Sequence, residues 1–170
     1  MTIVLPGDAG TLDVDAAANL LRAYWVRNTA VWALFDEPVV GERDVFLPMD
    51  VLSLNALNAR LTMGNMTEFW SSKTRPDVEV LLTRVTKVPL SAVAEDQIES
   101  IAGTLASVAE AIDALDGWGD TRVGKLLYRV RPRLAPIFDA YVASYYSPTE
   151  VATSYFPHIA GLISCQFRGL

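Results

Sequence analysis

The chain has 170 residues, of which 51% are hydrophobic and 20% are charged, and its formal net charge is −6. A chain of this length and apolar content is expected to form one folded domain with a substantial core, which argues against extensive disorder. The acidic balance disfavours strong nucleic-acid binding, and the single histidine and single cysteine disfavour a zinc site, although carboxylates binding Mg²⁺ stay open.

The N-terminus and the apolar runs bear on targeting. No run reaches the roughly 18 apolar residues of a membrane span, and the first residues lack a basic start followed by an apolar core. Because Cys165 has no second cysteine to pair with, a reducing compartment is favoured. We therefore expect a cytoplasmic protein with no membrane partner, residues 1–14 being an N-terminal extension and residues 15–170 a single all-α domain.

The first predicted helix runs from Asp15 to about Asn28. Its apolar residues recur at helical spacing, at Leu20, Leu21, Tyr24 and Trp25. Asp13 or Asp15 is available as its cap. Residues 29–35 either extend this helix or form a separate short one.

The next predicted helices are short. Pro48 starts an amphipathic segment whose apolar residues lie mostly on one side, at Val51, Leu52, Leu54, Leu57 and Leu61. We expect Gly64 to end this segment and residues 67–72 to form another short helix. Pro76 is expected in the first turn of the helix that follows, where its missing N–H has no cost.

The clearest helix runs from Ala94 to Leu115. Six apolar residues alternate in steps of three and four, at Ile98, Ile101, Leu105, Val108, Ile112 and Leu115. Gly117 and Gly119 then stop the helix. The following helix covers residues 122–131 and ends before Pro132, because a residue that precedes proline disfavours the helical conformation.

Residues beyond Pro136 also carry helix signals. A short helix is predicted at about 139–145, and residues 147–150 read as a capping box that opens a last helix, kinked at Pro157. No strand pattern competes with these helices. The sequence predicts an all-α fold, a compact single-domain helical bundle with a helix-hairpin-helix-like element near residues 98–131.

Charge is distributed unevenly around Gly119. Residues 89–120 hold seven acids and no lysine or arginine, whereas residues 122–133 hold five bases and no acid. Two explanations stay open: the acidic and basic helices compensate each other, or the bases form a local anion site.

The stretch from Lys125 to Val142 resembles the motif K-L-L-x-R-x-R-P-R-L-x-P-[VI]-[YF]-D-x-x-V of an uncharacterised actinobacterial domain family. Members also carry an upstream helix comparable to residues 50–57. The resemblance extends over residues 15–145. It implies membership of a family for which no activity is established.

A second, more distant similarity is to the helix-hairpin-helix DNA glycosylases, in the order LxGxG (residues 115–119), apolar helix, proline-bounded turn and aspartate. That resemblance implies that Gly117 and Gly119 form the phosphate-binding hairpin and that Asp139 is the acid that assists cleavage of the base–sugar bond. This chain departs from the pattern at Asp116 and Trp118, and Thr121 stands where lyase-type members carry a lysine, so no Schiff base is expected.

Each candidate residue has a structural alternative. Asp139 either stabilises a developing oxocarbenium ion or caps its helix. Gly117 and Gly119, with Trp118 between them, either expose backbone N–H groups to a phosphate or form a plain turn. Lys125 belongs to the candidate ligand-binding set, although on its own it reads as solvated.

The arginines and aromatic residues are similarly ambiguous. Arg129, Arg131 and Arg133 either clamp an anion or bridge to acids of the preceding helix, namely Glu110, Asp113 or Asp116. His158 reads as a structural residue. The aromatic residues either line a pocket for a base or another flat ligand or belong to the core, and they are Trp25, Trp32, Trp70, Trp118, Tyr141, Tyr145, Tyr146 and Tyr155.

Two functional hypotheses follow. The first is a glycosylase-like protein acting on an N-glycosidic or nucleoside-like small molecule or a nucleic acid, with Asp139 as the acid and no metal or cofactor. The second is a non-catalytic helical module that recognises an anionic ligand or a protein partner. In both, nucleic-acid binding is expected to be weak at best, and the oligomeric state is left open.

Overall fold

The computed structural model describes residues 2–4 (backbone only), 11–36, 41–135 and 137. Within them the chain forms a short hairpin and then a series of helices, which confirms the all-α prediction. The elements are β1 (Thr2–Val4), β2 (Thr11–Asp13), α1 (Val14–Asp36), α2 (Pro48–Ser53), α3 (Met63–Ser71), α4 (Thr74–Leu82), α5 (Glu95–Asp113) and α6 (Asp120–Val130), with 3₁₀ turns at Leu54–Leu57 and Leu90–Ala92.

The hairpin lies in the segment interpreted as an N-terminal extension, where no strand was predicted. β1 and β2 pair antiparallel, with Ile3 opposite Leu12. Three residues per strand are too few for a clear alternation of apolar and polar side chains, which explains why the sequence pattern missed them.

Helix α1 begins at one of its two predicted caps and is broken in the middle. The Asp13 Oδ1 accepts hydrogen bonds from the backbone N–H groups of Asp15 and Ala16, at 2.9 and 3.2 Å. Asn28 leaves the helical conformation at φ −113° and ψ 16°, and its side chain donates to the Tyr24 carbonyl at 2.8 Å. Residues 29–35 therefore continue the same element after a kink, as one of the two alternatives predicted.

Residues 48–71 differ from the prediction. α2 gives way to a 3₁₀ turn that ends at Asn58, a residue in the left-handed region at φ 57° that asparagine tolerates well. Gly64 does not end a helix; it lies in the first turn of α3, which Thr62 caps by accepting from the Asn65 N–H at 3.2 Å. The capping pair Thr62 and Asn65 was the local signal that marked this start.

Helix α5 forms the centre of the core, packing against α4 and α6. Five of its six predicted stripe residues are buried, namely Ile98, Ile101, Leu105, Val108 and Ile112. Leu115 follows the helix and is partly buried. Pro76 lies in the first turn of α4 and Pro132 follows the end of α6, both as predicted. In the part of the chain that the structure describes, no helix is long and apolar enough to cross a bilayer.

Candidate functional site

The first of the predicted ligand-binding arginines, Arg129, lies inside the protein. Its side chain has no exposed surface, and its Nε contacts the Oδ1 of the equally buried Asp50 at 3.2 Å. It also donates to the Phe35 carbonyl, and its guanidinium lies 5.4 Å from the centre of the Phe35 ring. Arg43 approaches the same carboxylate with two hydrogen bonds of 2.9 and 2.7 Å. Arg129 thus takes part in a buried ion cluster that joins α2 to α6.

Arg131 is also fully buried. It donates to the Asp44 carboxylate and to the Leu82 carbonyl, both at 2.7 Å, and to the Arg43 carbonyl. Arg133 is 59% exposed and lies 3.4 Å from Glu42. All three arginines therefore lie beside carboxylates, which agrees with the predicted alternative only in that the arginines pair with acids.

The acids in these bridges are not those predicted. Asp50, Asp44 and Glu42 precede α3, whereas the prediction named Glu110, Asp113 and Asp116 near the end of α5. The prediction assumed that consecutive helices compensate each other, and it could not foresee that an earlier loop returns to cover the end of α6. An anion could reach Arg129 or Arg131 only by displacing these bonds. The anion site at the arginines therefore has no support from this geometry and stays a prediction.

The glycine turn between α5 and α6 is packed against the start of α3. Gly117 has φ +71°, and a Cβ there would overlap the Asn65 side chain. Asn65 donates to the Asp116 carbonyl at 2.9 Å, and Arg122 donates to the Gly117 carbonyl. The turn that joins the two helices is thus held by side chains from both α3 and α6.

Two other predicted ligand-binding residues contribute to the same packing. Trp118 is 2% exposed and donates from Nε1 to the Asn65 carbonyl at 3.3 Å. Lys125 donates to the Leu57 carbonyl at 2.6 Å, at the end of the 3₁₀ turn. At Gly119, by contrast, a Cβ would meet nothing within 4 Å. Phosphate binding by this turn stays a prediction, and Gly119 is the position in the turn where an added group would meet no neighbouring atom.

The predicted acid, Asp139, lies outside the described residues. So do His158, Cys165 and the four tyrosines at 141, 145, 146 and 155. The helices predicted beyond Pro136 fall in the same part of the chain. Ile137, the last described residue, is partly buried against the core.

A cleft beside α1 brings together residues that the arginine and glycine motifs did not indicate. It has a volume of about 580 Å³ and lies between α1 and the side chain of Tyr128 on α6. We call it the aromatic cleft, because its lining among the described residues includes the rings of Tyr24, Trp25, Trp32 and Tyr128. Leu21 and Val26 add aliphatic surface. Such a volume falls within the ~300–1,000 Å³ of typical small-molecule sites.

The rings form a continuous path from the cleft into the core. Trp25 stacks on Trp32 with a centroid distance of 5.8 Å and an interplanar angle of 14°. Trp32 meets the buried Phe35 edge to face at 6.2 Å, and Phe35 stacks on Tyr128 at 5.8 Å. Because Phe35 is fully buried, it holds the inner rings in place while about half of Trp25 remains exposed at 49%.

Trp70 and Trp118 belong to a different group of rings. Both contact Phe69, at centroid distances of 5.6 and 5.1 Å, inside the core. The structure therefore divides the predicted aromatic set: Trp25 and Trp32 line a pocket, as one alternative expected, and Trp70 and Trp118 are packing residues, as the other did.

Asp36 supplies a carboxylate to the cleft. It is the last residue of α1, and its Oδ1 is buried with no hydrogen-bond donor among the residues that the structure describes. Burial raises the pKa of the Asp36 carboxyl, and the positive charge of Arg129 lowers it by a smaller amount. The Nε1 of Trp32 is likewise buried and without an acceptor in that part of the chain.

The charge of Asp36 acts on Tyr128, which lines the same cleft. Burial is the main cause that raises the pKa of the Tyr128 hydroxyl, the Asp36 charge raises it further, and Arg129 lowers it. The tyrosine therefore stays a neutral hydrogen-bonding group at neutral pH. The arrangement offers a ligand two faces of aromatic surface, a hydroxyl group and a carboxylate.

Sequence reasoning identified Trp25 and Trp32 as pocket candidates and missed Asp36 and Tyr128. A signal for Asp36 was present: it is an acid in the last turn of a helix, and that turn holds no basic residue. Carboxylates are disfavoured at helix C-termini because the helix dipole is negative there. Asp36 also comes directly after three aromatic residues within eleven positions. An acid in this unfavourable place points to a role other than helix stability.

Comparisons with known proteins give a family and no activity. A family model described as "Family of unknown function (DUF6308)" matches residues 17–166. The match includes α1 and α6, which form the aromatic cleft, and the position of Asp139. No curated protein and no solved structure matches the chain.

Proposed function

We propose that this chain, which belongs to the DUF6308 family of unknown function, is a binding module for a small organic molecule with a flat ring, held in the aromatic cleft. The observation that carries the proposal is the convergence of Trp25, Trp32 and Tyr128 on a cleft of about 580 Å³. Aromatic side chains provide large, rigid contact surfaces whose burial against a flat ligand is favourable.

The exposure of α1 supports this proposal. Several large apolar side chains of α1 are on the surface, including Leu21 at 69%, Tyr24 at 56% and Val26 at 75%. An apolar ligand that covers part of this surface removes it from water, and this burial stabilises the complex by about 25 cal/mol per Å² of apolar surface. Exposed apolar surface gathered around one cleft is typical of a binding site.

The proposal places the ligand at the cleft and not at the arginine cluster. Arg129 and Arg131 already donate to Asp50, Asp44 and backbone carbonyls, so they stabilise the fold. A net charge of −6 also opposes polyanions. Nucleic acid is therefore proposed to bind weakly at best, and a nucleoside-like small molecule fits better than DNA.

The proposal can be tested by NMR on the full chain labelled with ¹⁵N. The chain holds four tryptophans, each with one indole N–H signal. Titration with 2-naphthalenemethanol and with adenosine should shift the Trp25 and Trp32 signals to saturation and leave that of Trp118, which is bonded to Asn65 in the core, in place.

A pair of variants sharpens the test. Trp25→Ala should weaken binding by about fivefold or more, since tryptophans in binding sites contribute over about 1 kcal/mol. Leu52→Ala, a truncation of a side chain on α2 that is 49% exposed, should leave binding unchanged. Absence of saturable shifts with every ring compound would refute the proposal. Shifts that instead follow protein concentration would show that a second copy of the chain fills the cleft.

A further inference from the structure

Among the residues that the structure describes, two charged side chains line the aromatic cleft, Arg22 and Asp36, and they differ in their surroundings. Arg22 lies on the exposed side of α1 and donates to Asn19 at 2.9 Å, so water screens its charge. The Oδ1 of Asp36 is shielded from water, and no group among the described residues donates to it. A shielded charge interacts with a ligand more strongly than a solvated one.

On balance the fold disfavours a negative charge at Asp36, because the effect of burial exceeds the opposing effect of the Arg129 charge. The carboxylate lies at the end of α1, where the dipole of the last turn opposes it. The nearby Arg129 directs its Nε to Asp50 and another N–H group to Phe35. A buried polar atom without a partner costs free energy. A ligand that donates a hydrogen bond to the Asp36 carboxylate would offset this cost and so bind more tightly.

The walls of the cleft favour the same kind of donor. The faces of Trp25, Trp32 and Tyr128 carry the negative part of the ring quadrupole, which attracts cations within about 6 Å of a ring centre. The described part of the chain already contains this kind of contact, with Arg129 over Phe35 at 5.4 Å and Arg75 over Trp70 at 4.9 Å. A carboxylate at the end of an aromatic wall is the combination that binds organic ammonium groups.

We infer that the ligand of the aromatic cleft is an organic cation, a protonated amine attached to a ring, whose charged nitrogen lies against Asp36. This inference rests on the proposed small-molecule function and adds the charge of the ligand. The ring of the ligand packs on Trp25 and Trp32, and the nitrogen faces the carboxyl group of Asp36, which lines the cleft. Burial raises the pKa of Asp36, and a bound cation would lower that pKa because its charge stabilises the carboxylate.

The test compares three probes that share one ring system and differ in charge. The probes are 2-naphthylmethylammonium, 2-naphthalenemethanol and 2-naphthoate, each titrated into the full chain at physiological salt with the indole N–H signals as the readout. The ammonium compound should bind about tenfold more tightly than the alcohol, and the carboxylate should bind most weakly.

Two variants separate Asp36 from the overall acidity of the protein. Asp36→Asn should abolish the preference for the ammonium compound and leave the affinity for the alcohol within about twofold, because the amide keeps the shape of the side chain and loses its charge. Glu99→Gln, an exposed residue on α5, removes the same formal charge and should retain the preference. Circular dichroism is the control that shows whether both variants are folded.

The outcomes distinguish this inference from the proposed function. Equal affinities for the ammonium compound and the alcohol would overturn the cation inference and leave the cleft as a site for neutral rings. A preference that survives in Asp36→Asn would overturn it too, by assigning recognition to the rings alone. Failure of all three probes to bind would overturn the proposed function as well.

Discussion

Asp50 and Arg129 meet in the core 79 positions apart in sequence, with 3.2 Å between the Oδ1 of the carboxylate and the Nε of the guanidinium, and neither side chain reaches solvent. Asp50 also caps α2 by accepting from the Leu47 N–H at 2.7 Å. One buried carboxylate therefore positions the start of α2, the loop residue Arg43 and the last turn of α6, the helix that contributes Tyr128 to the aromatic cleft.

Removing this carboxylate should destabilise the fold strongly. Asp50→Ala leaves the guanidiniums of Arg43 and Arg129 without their shared acid, and breaking a buried ion pair on one side costs about 3–5 kcal/mol. Chemical denaturation should show this loss. Glu99→Ala, an exposed acid on α5, should change the free energy of unfolding by less than about 0.5 kcal/mol. An Asp50→Ala protein as stable as the wild type would contradict the structural role of the cluster.

The stripe of α5 gives a second stability prediction. Leu105 is fully buried, so Leu105→Ala should cost about 2–5 kcal/mol through lost contacts and a cavity. Val80→Ala on α4, at a side chain that is 56% exposed, is the matched control and should cost far less. Similar melting temperatures for the two variants would show that α5 is not the centre of the core.

Two glycines, Gly117 in the turn before α6 and Gly103 inside α5, should respond to alanine with effects of opposite sign. Gly117→Ala should destabilise the protein by about 1 kcal/mol or more, because alanine is strained at φ +71° and its Cβ would overlap Asn65. Gly103→Ala, inside α5 with nothing within 4 Å of the added methyl group, should stabilise by up to about 1 kcal/mol. Thermal unfolding of the two variants checks the signs, and a stabilised Gly117→Ala would refute the packing of the turn.

Asp36 predicts a pH-dependent effect on stability. Burial raises the pKa of its carboxyl against the opposing effect of Arg129, and Tyr128 is the other titratable group that faces it from α6, while Arg22 lies on α1 itself. A raised pKa contributes stability that is present below the pKa of the unfolded chain and is lost as the pH rises through the folded value. At neutral pH the ionised carboxylate therefore costs stability.

Asp36→Asn should accordingly raise the melting temperature at pH 7 in the absence of ligand. The gain should shrink as the pH falls through the raised pKa of Asp36, where the wild-type carboxyl takes up its proton. Melting curves across this range give the measurement. A loss at pH 7 would show that the surroundings stabilise the carboxylate of Asp36. A gain that stays constant with pH would show that the effect does not come from ionisation of Asp36.

Asp139 stays a prediction from the sequence. If it caps a helix, Asp139→Asn should leave the melting temperature nearly unchanged, because asparagine caps almost as well. If it also stabilises an oxocarbenium ion, the same change should abolish release of base from nucleosides or from oligonucleotides with damaged bases. Both quantities are measured for wild type and variant together. A wild-type protein that releases no base from any of these substrates would end the glycosidic hypothesis.

Features determined by neighbours along the chain could be read from the sequence. The stripe of α5, the Asp13 cap of α1 and the end of α6 before Pro132 each depend on residues within a few positions of one another. In these elements the spacing of apolar side chains and the backbone limits of proline act locally, so the pattern alone was sufficient. The Thr62–Asn65 capping pair was equally local, but the prediction overlooked it and placed a helix end at Gly64.

Contacts between distant segments were decided only by the tertiary structure. The sequence left open whether the arginines near Arg131 clamp an anion or pair with acids, and the fold placed Asp44 and Asp50 beside them. Nothing in the sequence sets the distance from Asp36 to Tyr128, because α1 and α6 are separated by most of the domain. Which polar groups find hydrogen-bond partners depends on how the helices pack. This packing pairs Arg129 and Arg131 with acids, and it leaves the buried Oδ1 of Asp36 without a donor among the described residues.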